Sequence, residues 1–241
     1  MRDLTQGQEI GPYAVRHARP EDVPGARSVM LDTFYREFDY GYVPQWHDDV
    51  VDIQRTYLSH PRHTLVVAVL GEEVVGTTAL NSRGPAHPPH PRWLTDRYPS
   101  GRTAQLLRVY VRPDHRRHGL ARAMVRAACE FAVGVPGYDT VYLHTNVDIP
   151  GAEAFWRSMA DEVCDARTTG EHGGYGTVHF EIPIHVAATV GHHRLACPQD
   201  ASRNAVDPTG HRRTRGASDL DRRGSHQQAD HPALDEHVLH Q

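Results

Sequence analysis

A short basic segment that follows an apolar, β-branched run has the residue types of an anion-binding turn. Residues 104–112 predict a strand that ends at Pro113, and an amphipathic helix is predicted from Arg117 onward. Free backbone N–H groups and the helix dipole favour a negative charge where such a helix begins, and glycine lets the backbone approach a phosphate closely. The predicted binding residues are Arg116, Arg117, His118, Gly119, Leu120, Ala121 and Arg122.

The spacing of residues within this turn distinguishes between the known phosphate-binding motifs. It matches neither Gly-x-Gly-x-x-Gly nor a Walker loop. It does match Gln/Arg-x-x-Gly-x-Gly/Ala, at Arg116, Gly119 and Ala121.

A second segment agrees with the first. A strand predicted at residues 140–146 precedes a short helix at residues 150–159, where Ala152 and Phe155 match the pattern Ala-x-x-Phe-Tyr. With these two motifs the sequence resembles the GCN5-related N-acetyltransferase (GNAT) superfamily. The predicted order across residues 13–185 resembles it too: helix pair, hairpin, strand, turn and helix, strand, helix, strand.

Hydrophobic periodicity predicts the elements that position the turn. Residues 22–35 form a helix that Asp22 can cap, and residues 48–58 form a second one. The apolar face of the first helix is Ala26, Val29, Met30, Thr33 and Phe34. Residues 64–80 predict a β-hairpin, whereas residues 83–103 hold too many prolines for regular structure and form a long loop, suspected of a role at a site. The fold class is α/β, a mixed α+β sheet.

Composition divides the chain. Residues 186–241 contain no aromatic residue and no sustained apolar period, so they predict a disordered tail rich in His, Arg and Asp. No zinc-type spacing occurs among its histidines, and no metal site is expected. Residues 13–185 are then a GNAT-like domain behind an N-terminal extension at residues 1–12.

Charge and hydropathy exclude several classes of protein. All 26 Lys+Arg residues are arginine, which excludes Schiff-base chemistry and a P-loop lysine. The net charge of −4 argues against a dedicated nucleic-acid partner. No apolar run approaches the roughly 20 residues of a membrane span, and no secretory stretch opens the chain. A cytoplasmic protein without membrane contact is expected.

The resemblance implies acetyl-CoA as acyl donor, bound in a gap between the parallel strands of residues 104–112 and 140–146. Main-chain groups around Val109 and Val111 would hold the pantetheine arm, and the turn would hold the pyrophosphate. Trp156 would also contact the cofactor. The acceptor amine would attack the thioester directly, without a covalent enzyme intermediate.

Two positions depart from the family pattern. Trp156 stands where many members have a tyrosine that protonates the leaving thiolate, and Gln105 stands where many have an acidic residue. His144 is the predicted substitute acid or base, because the ordinary histidine pKa of about 6.5 suits proton transfer at neutral pH. A histidine hydrogen-bonded under a loop is the alternative. Tyr142, on the same strand face, is a second candidate.

The acceptor pocket is expected in the segment from residue 34 to residue 49, which contains six aromatic residues and several carboxylates. Such a wall suits an organic amine through cation–π contacts and charge pairing. The alternative is that the aromatics are core and the acids are a solvated face. The predicted contact residues are Tyr35, Glu37, Tyr40 and Trp46.

These residues predict an N-acetyltransferase acting on an amine of a small molecule or peptide. Two alternatives are a catalytically silent acyl-CoA-binding module and a protein- or aminoacyl-tRNA-directed acetyltransferase. The family resemblance also admits a homodimer, although no feature of the sequence indicates an interface.

Overall fold

The computed structural model describes residues 7–38, 40–169 and 176–184. The tail predicted at residues 186–241 lies outside the described residues, as do residues 1–6 of the predicted N-terminal extension. Residues 8–10 of that extension form a strand of the main sheet.

The described residues contain one mixed sheet of eight strands in the order β1-β2-β3-β4-β5-β6-β8-β7. Neighbouring strands are antiparallel, except that β5 and β6 are parallel. The predicted mixed fold class is therefore confirmed. The strands are β1 Gln8–Ile10, β2 Tyr13–His17, β3 Thr64–Leu70, β4 Glu73–Asn81, β5 Thr103–Val111, β6 Thr140–Asn146, β7 Asp161–Asp165 and β8 Thr177–Pro183.

Helices cover both faces of this sheet. They are α1 Val23–Arg36, α2 Asp48–Val51, α3 Arg92–Arg97, α4 Leu120–Gly134, α5 Ala152–Arg157 and α6 Ala166–Thr169. Strand β3 shows the two layers directly, since Val66 and Ala68 pack with α4 while Leu65, Val67 and Val69 pack with α1. Burial on both faces explains why this strand is continuously apolar.

Helix α1 buries the predicted face: Ala26, Val29, Met30, Thr33 and Phe34 are all buried. The predicted capping role of Asp22 is wrong, because its carboxylate makes no capping hydrogen bond to α1. It accepts hydrogen bonds from the Arg16 guanidinium at 2.6 and 3.0 Å and from the Arg19 backbone N–H at 2.7 Å.

The second predicted helix is divided. Helix α2 ends at Val51, and a separate π-helical turn spans Gln54–Leu58. Asp52 separates them with φ −128° and ψ 65°, and its Oδ1 accepts a hydrogen bond from the Arg55 N–H. The aspartate side chain thus competes with the helical backbone ladder.

The predicted long loop contains a helix, although its proline content argues against regular structure. Helix α3 lies within residues 83–103, where no helix is predicted. It begins directly after Pro91, the last proline of a cluster, because proline disfavours helix in the residue before it but not in those that follow.

Candidate active site

Strands β5 and β6 separate part-way along the sheet. Their parallel pairing covers Thr103–Gln105 and Thr140–Tyr142. In the described residues, β5 then continues to Val111 and β6 to Asn146 without further pairing between them. The separation leaves main-chain groups on one edge of β5 available to a ligand, in the gap predicted between these strands.

The turn after β5 has the backbone of an anion site. Helix α4 begins at Leu120 rather than at the predicted Arg117, because Arg117 has φ 66° and Gly119 has φ 79°. The N–H of Ala123 donates to the Gly119 carbonyl at 3.1 Å. The N–H groups of Leu120, Ala121 and Arg122 therefore precede the helical ladder and carry the positive end of the helix dipole.

This turn opens into a cavity of about 870 Å³, here called the larger cavity. Most of the predicted cofactor residues line it: Val109, Val111, Arg116, Arg117, Gly119, Leu120, Ala121, Arg122 and Trp156. Thr145 and Asn146 of β6 line it from the other side of the gap. His118 does not line it; its exposed ring lies against Tyr13 with 5.3 Å between centroids.

The three arginines of the turn differ in their partners. Arg116 donates from Nε to the Val111 carbonyl at 2.8 Å and forms an ion pair with Glu37. Arg122 donates to Ser158 Oγ at 2.8 Å. Arg117 makes no ion pair within the described ranges and lines the larger cavity, so its charge is available to an anion there.

A second cavity, of about 430 Å³ and here called the smaller cavity, uses the preceding residues of the same strands. Gln105, Leu107 and Arg108 of β5 line it, as does His144 of β6. The larger cavity takes Val109 and Val111 of β5 and Thr145 of β6. The two cavities thus follow each other along the β5–β6 gap.

The proline-rich loop forms one wall of the smaller cavity, through Arg83, Gly84, Pro85, Ala86, His90 and Ser100. Gly84 packs so closely that a Cβ there would lie 1.7 Å from the Tyr98 carbonyl oxygen. This wall requires glycine at that position.

Gly84→Ala should therefore displace the loop and distort the smaller cavity while the turn after β5 keeps its shape. We expect affinity for acetyl-CoA, measured by calorimetry, to stay within about threefold, which is under 1 kcal/mol. Turnover of an amine acceptor should fall at least tenfold. Equal losses of acetyl-CoA affinity and turnover would contradict the separation of the two cavities.

The predicted acceptor residues are distributed between the cavities. Trp46 lines the smaller cavity, whereas Glu37 and Tyr40 line the larger one. Tyr35 is 60% exposed and lines neither cavity. The four predicted contact residues therefore do not line a single cavity.

His144 and Tyr142 occupy different environments. His144 is 5% exposed and lines the smaller cavity, with the His90 ring 5.1 Å away on the covering loop. Tyr142 is fully buried and lines neither cavity; its hydroxyl lies 2.8 Å from His179 Nδ1 and 3.4 Å from His144 Nδ1. Burial raises the pKa of Tyr142 well above its ordinary value. Tyr142 thus contacts His144 without lining either cavity.

A buried ion pair that the sequence does not predict lies at the smaller cavity. Arg108 donates to Asp49 from Nη2 at 2.7 Å and from Nε at 3.1 Å, and Tyr57 Oη donates to the same carboxylate at 2.6 Å. Burial alone would raise the Asp49 pKa, but the Arg108 charge and these hydrogen bonds lower it. Arg108 sits at a β-bulge with φ 55°. The signal was present in the sequence as one charged residue inside the apolar strand.

Comparisons with known proteins identify the family of this chain. The sequence model of the Acetyltransferase (GNAT) family matches residues 29–160. The chain belongs to the GNAT family. A GNAT-family acetyltransferase structure from Staphylococcus aureus Mu50 superposes with a TM-score of 0.53 at 13% identity, over 71% of this chain and 99% of that one. That likeness supports the fold.

Relatives of this GNAT chain match it over a shorter segment. N-acetyltransferase 8B of Rattus norvegicus is 36% identical over 115 residues, 47% of this chain and 46% of that protein. N-acetylaspartate synthetase of Homo sapiens is 31% identical over 113 residues, 47% of this chain and 32% of that protein. The match thus spans less than half the length of either relative.

The described residues of this GNAT chain contain no group of three or more His, Cys, Asp or Glu side chains arranged to hold a metal ion. Nor do these ranges include a helix with the length and apolar character needed to cross a membrane.

Proposed function

We propose that this GNAT chain transfers an acetyl group from acetyl-CoA to the amine of a small molecule or peptide, in a ternary complex. One observation carries the proposal: two cavities line consecutive stretches of the diverging strands β5 and β6, and a glycine turn lies in one of them. Donor and acceptor would then occupy separate cavities and meet where the cavities adjoin.

The larger cavity fits the diphosphate and pantetheine arm of acetyl-CoA. The N–H groups at the start of α4 and the free charge of Arg117 are complementary to a diphosphate. A Cβ at Gly119 would have no atom within 4 Å, so a phosphate has room beside the backbone there. Val109 and Val111 then offer main-chain groups to the amides of the arm.

The chemistry needs one proton acceptor and a polarised carbonyl. The amine lone pair forms the new N–C bond, the C–S bond breaks, and its electron pair leaves with sulfur as a thiolate. We assign the departing amine proton to His144, directly or through a water, and polarisation of the carbonyl to a backbone N–H of β5 beside the Arg108 bulge. Trp156 cannot donate a proton, but a thiol with a pKa of about 8.5 leaves without full protonation.

The names of the relatives agree with this chemistry. Both are described by N-acetyl groups, one as an N-acetyltransferase and one as the synthetase of N-acetylaspartate. An amine acceptor is therefore favoured over an alcohol or thiol.

Replacing His144 tests its assignment. His144→Gln should lower kcat about 100-fold, as expected for loss of a general base, and should remove the acidic limb of the pH–rate profile. The acetyl-CoA affinity should not change. His60→Gln, at an exposed histidine, is the matched control and should keep the wild-type profile. An unaltered acidic limb in His144→Gln would exclude His144 as the base.

The proposed function itself is tested by two measurements on the full chain. Calorimetry should detect acetyl-CoA binding, and release of free thiol should accompany incubation with a panel of amines, amino acids and peptides. Acetyl-CoA binding without thiol release on any acceptor would indicate the silent binding module instead.

A further inference from the structure

The smaller cavity is lined by equal numbers of arginines and carboxylates. Its arginines are Arg83 and Arg108, and its carboxylates are Asp48 and Asp49. Both oxygens of Asp49 already accept hydrogen bonds from Arg108 or Tyr57, while Asp48 is exposed. Arg83 is exposed and forms no ion pair with any described residue. The two arginines and the two carboxylates balance in formal charge, and the free charges at the cavity are those of Arg83 and Asp48.

One nitrogen of an arginine that lines this cavity lacks a hydrogen-bond partner among the described residues. Arg108 is 3% exposed, and its Nη1 has no hydrogen-bond partner within the described part of the chain. This buried donor thus remains unused by the described protein.

The carboxylates expected to pair with a cationic amine are engaged elsewhere. Glu37 forms its ion pair with Arg116, and Asp49 binds Arg108. Asp39 lies outside the described residues. Of the described acids between residues 34 and 49, Asp48 alone keeps a free carboxylate on the smaller cavity. A polycationic amine would therefore find a single free carboxylate of this segment, that of Asp48, in the smaller cavity.

We propose that the acceptor is an amine that also carries a carboxylate, as a free amino acid or a peptide with a nearby acidic group does. Its carboxylate accepts a charge-assisted hydrogen bond from Arg108 Nη1, and Arg83 adds attraction at the cavity mouth. Its amine then faces His144 on the opposite strand of the gap. This inference rests on the proposed acetyl transfer and specifies its substrate class.

Matched amines test it. Phenylalanine is compared with phenethylamine, and methionine with 3-(methylthio)propylamine, at equal concentrations of unprotonated amine with saturating acetyl-CoA. In the wild type the carboxylate-bearing member of each pair should have a kcat/KM at least about tenfold higher, corresponding to one charge-assisted hydrogen bond. Equal or better turnover of the plain amines would overturn the inference and leave acetyl transfer intact.

Variants connect the preference to Arg108. Because Arg108 is buried against Asp49, the double variant Arg108→Gln/Asp49→Asn replaces both charges with amides of similar shape. It should reduce the carboxylate preference to about threefold or less, with acetyl-CoA affinity retained as the check on folding. If the double variant does not fold, Arg83→Gln replaces an exposed residue and should still reduce the preference severalfold. Arg126→Gln, on the exposed side of α4, should leave it unchanged.

A wild type that acetylates no member of the panel would contradict the proposed function, and binding then decides the inference. Thermal shifts with phenylalanine and with phenethylamine are compared in the presence of CoA. Stabilisation by phenylalanine that Arg83→Gln reduces would support a carboxylate site, and equal shifts for the two compounds would refute it.

Discussion

Gly119→Asp is expected to weaken acetyl-CoA binding at least about 100-fold, or about 2.7 kcal/mol. The carboxylate of the introduced aspartate would project into open space in the larger cavity. It would lie beside the N–H groups at the start of α4 that are proposed to bind the diphosphate. It would repel the diphosphate and compete for the same donors. Calorimetric titration with acetyl-CoA measures the loss directly.

Gly71→Asp is the matched control for this prediction. Gly71 has φ +61° against +79° at Gly119, and neither position has an atom within 4 Å of an added Cβ. Both variants therefore incur similar backbone strain, of about 1–2 kcal/mol, and add the same charge. Gly71 lies in the hairpin turn between β3 and β4, away from the residues of the larger cavity. Equal acetyl-CoA affinity in the two variants would show that the diphosphate does not bind at this turn.

Features set by neighbours in the sequence are the ones that sequence reasoning predicts best. The hairpin of β3 and β4 and the strand, turn and helix of β5 and α4 follow from alternation, from turn glycines and from a helical period. Their predicted bounds differ from the structure by a few residues at most. The observed start of α4 differs from the predicted one because nothing in the sequence indicates a positive φ at Arg117, which is not a glycine.

Features set by distant contacts are the ones it misses. Strands β1, β2 and β7 have three to five residues each, too few for a clear period, and are stabilised by pairing with strands elsewhere in the sheet. The partner of Arg108 lies 59 residues earlier in the chain, and only the fold brings Asp49 to it. Tyr35 and His118 lie outside the linings of both cavities for a related reason, since a residue type near a site does not determine which way its side chain faces.

Breaking the Arg108–Asp49 pair is expected to lower the free energy of unfolding strongly. Asp49→Ala would leave the Arg108 guanidinium buried without a counter-charge and would remove the acceptor of the Tyr57 hydroxyl. The loss in free energy of unfolding should be about 3–5 kcal/mol, measured by urea denaturation. Asp139→Ala breaks an ion pair with the exposed Arg102 and should leave the midpoint nearly unchanged. A similar, small loss in both variants would show that the buried pair contributes little.

The contribution of the same ion pair to stability can also be measured by lowering the pH, without truncating a side chain. The pKa of Asp49 is lower in the folded protein than its unfolded value of about 3.9. Its ionised form therefore contributes stability above that value, and the contribution is lost as the pH falls through the lower, folded pKa. Asp49→Asn mimics the protonated carboxyl, so the wild type should exceed it in stability at pH 7, and the difference should shrink below about pH 4. A difference that stays constant down to about pH 2 would mean that folding does not lower the pKa of Asp49.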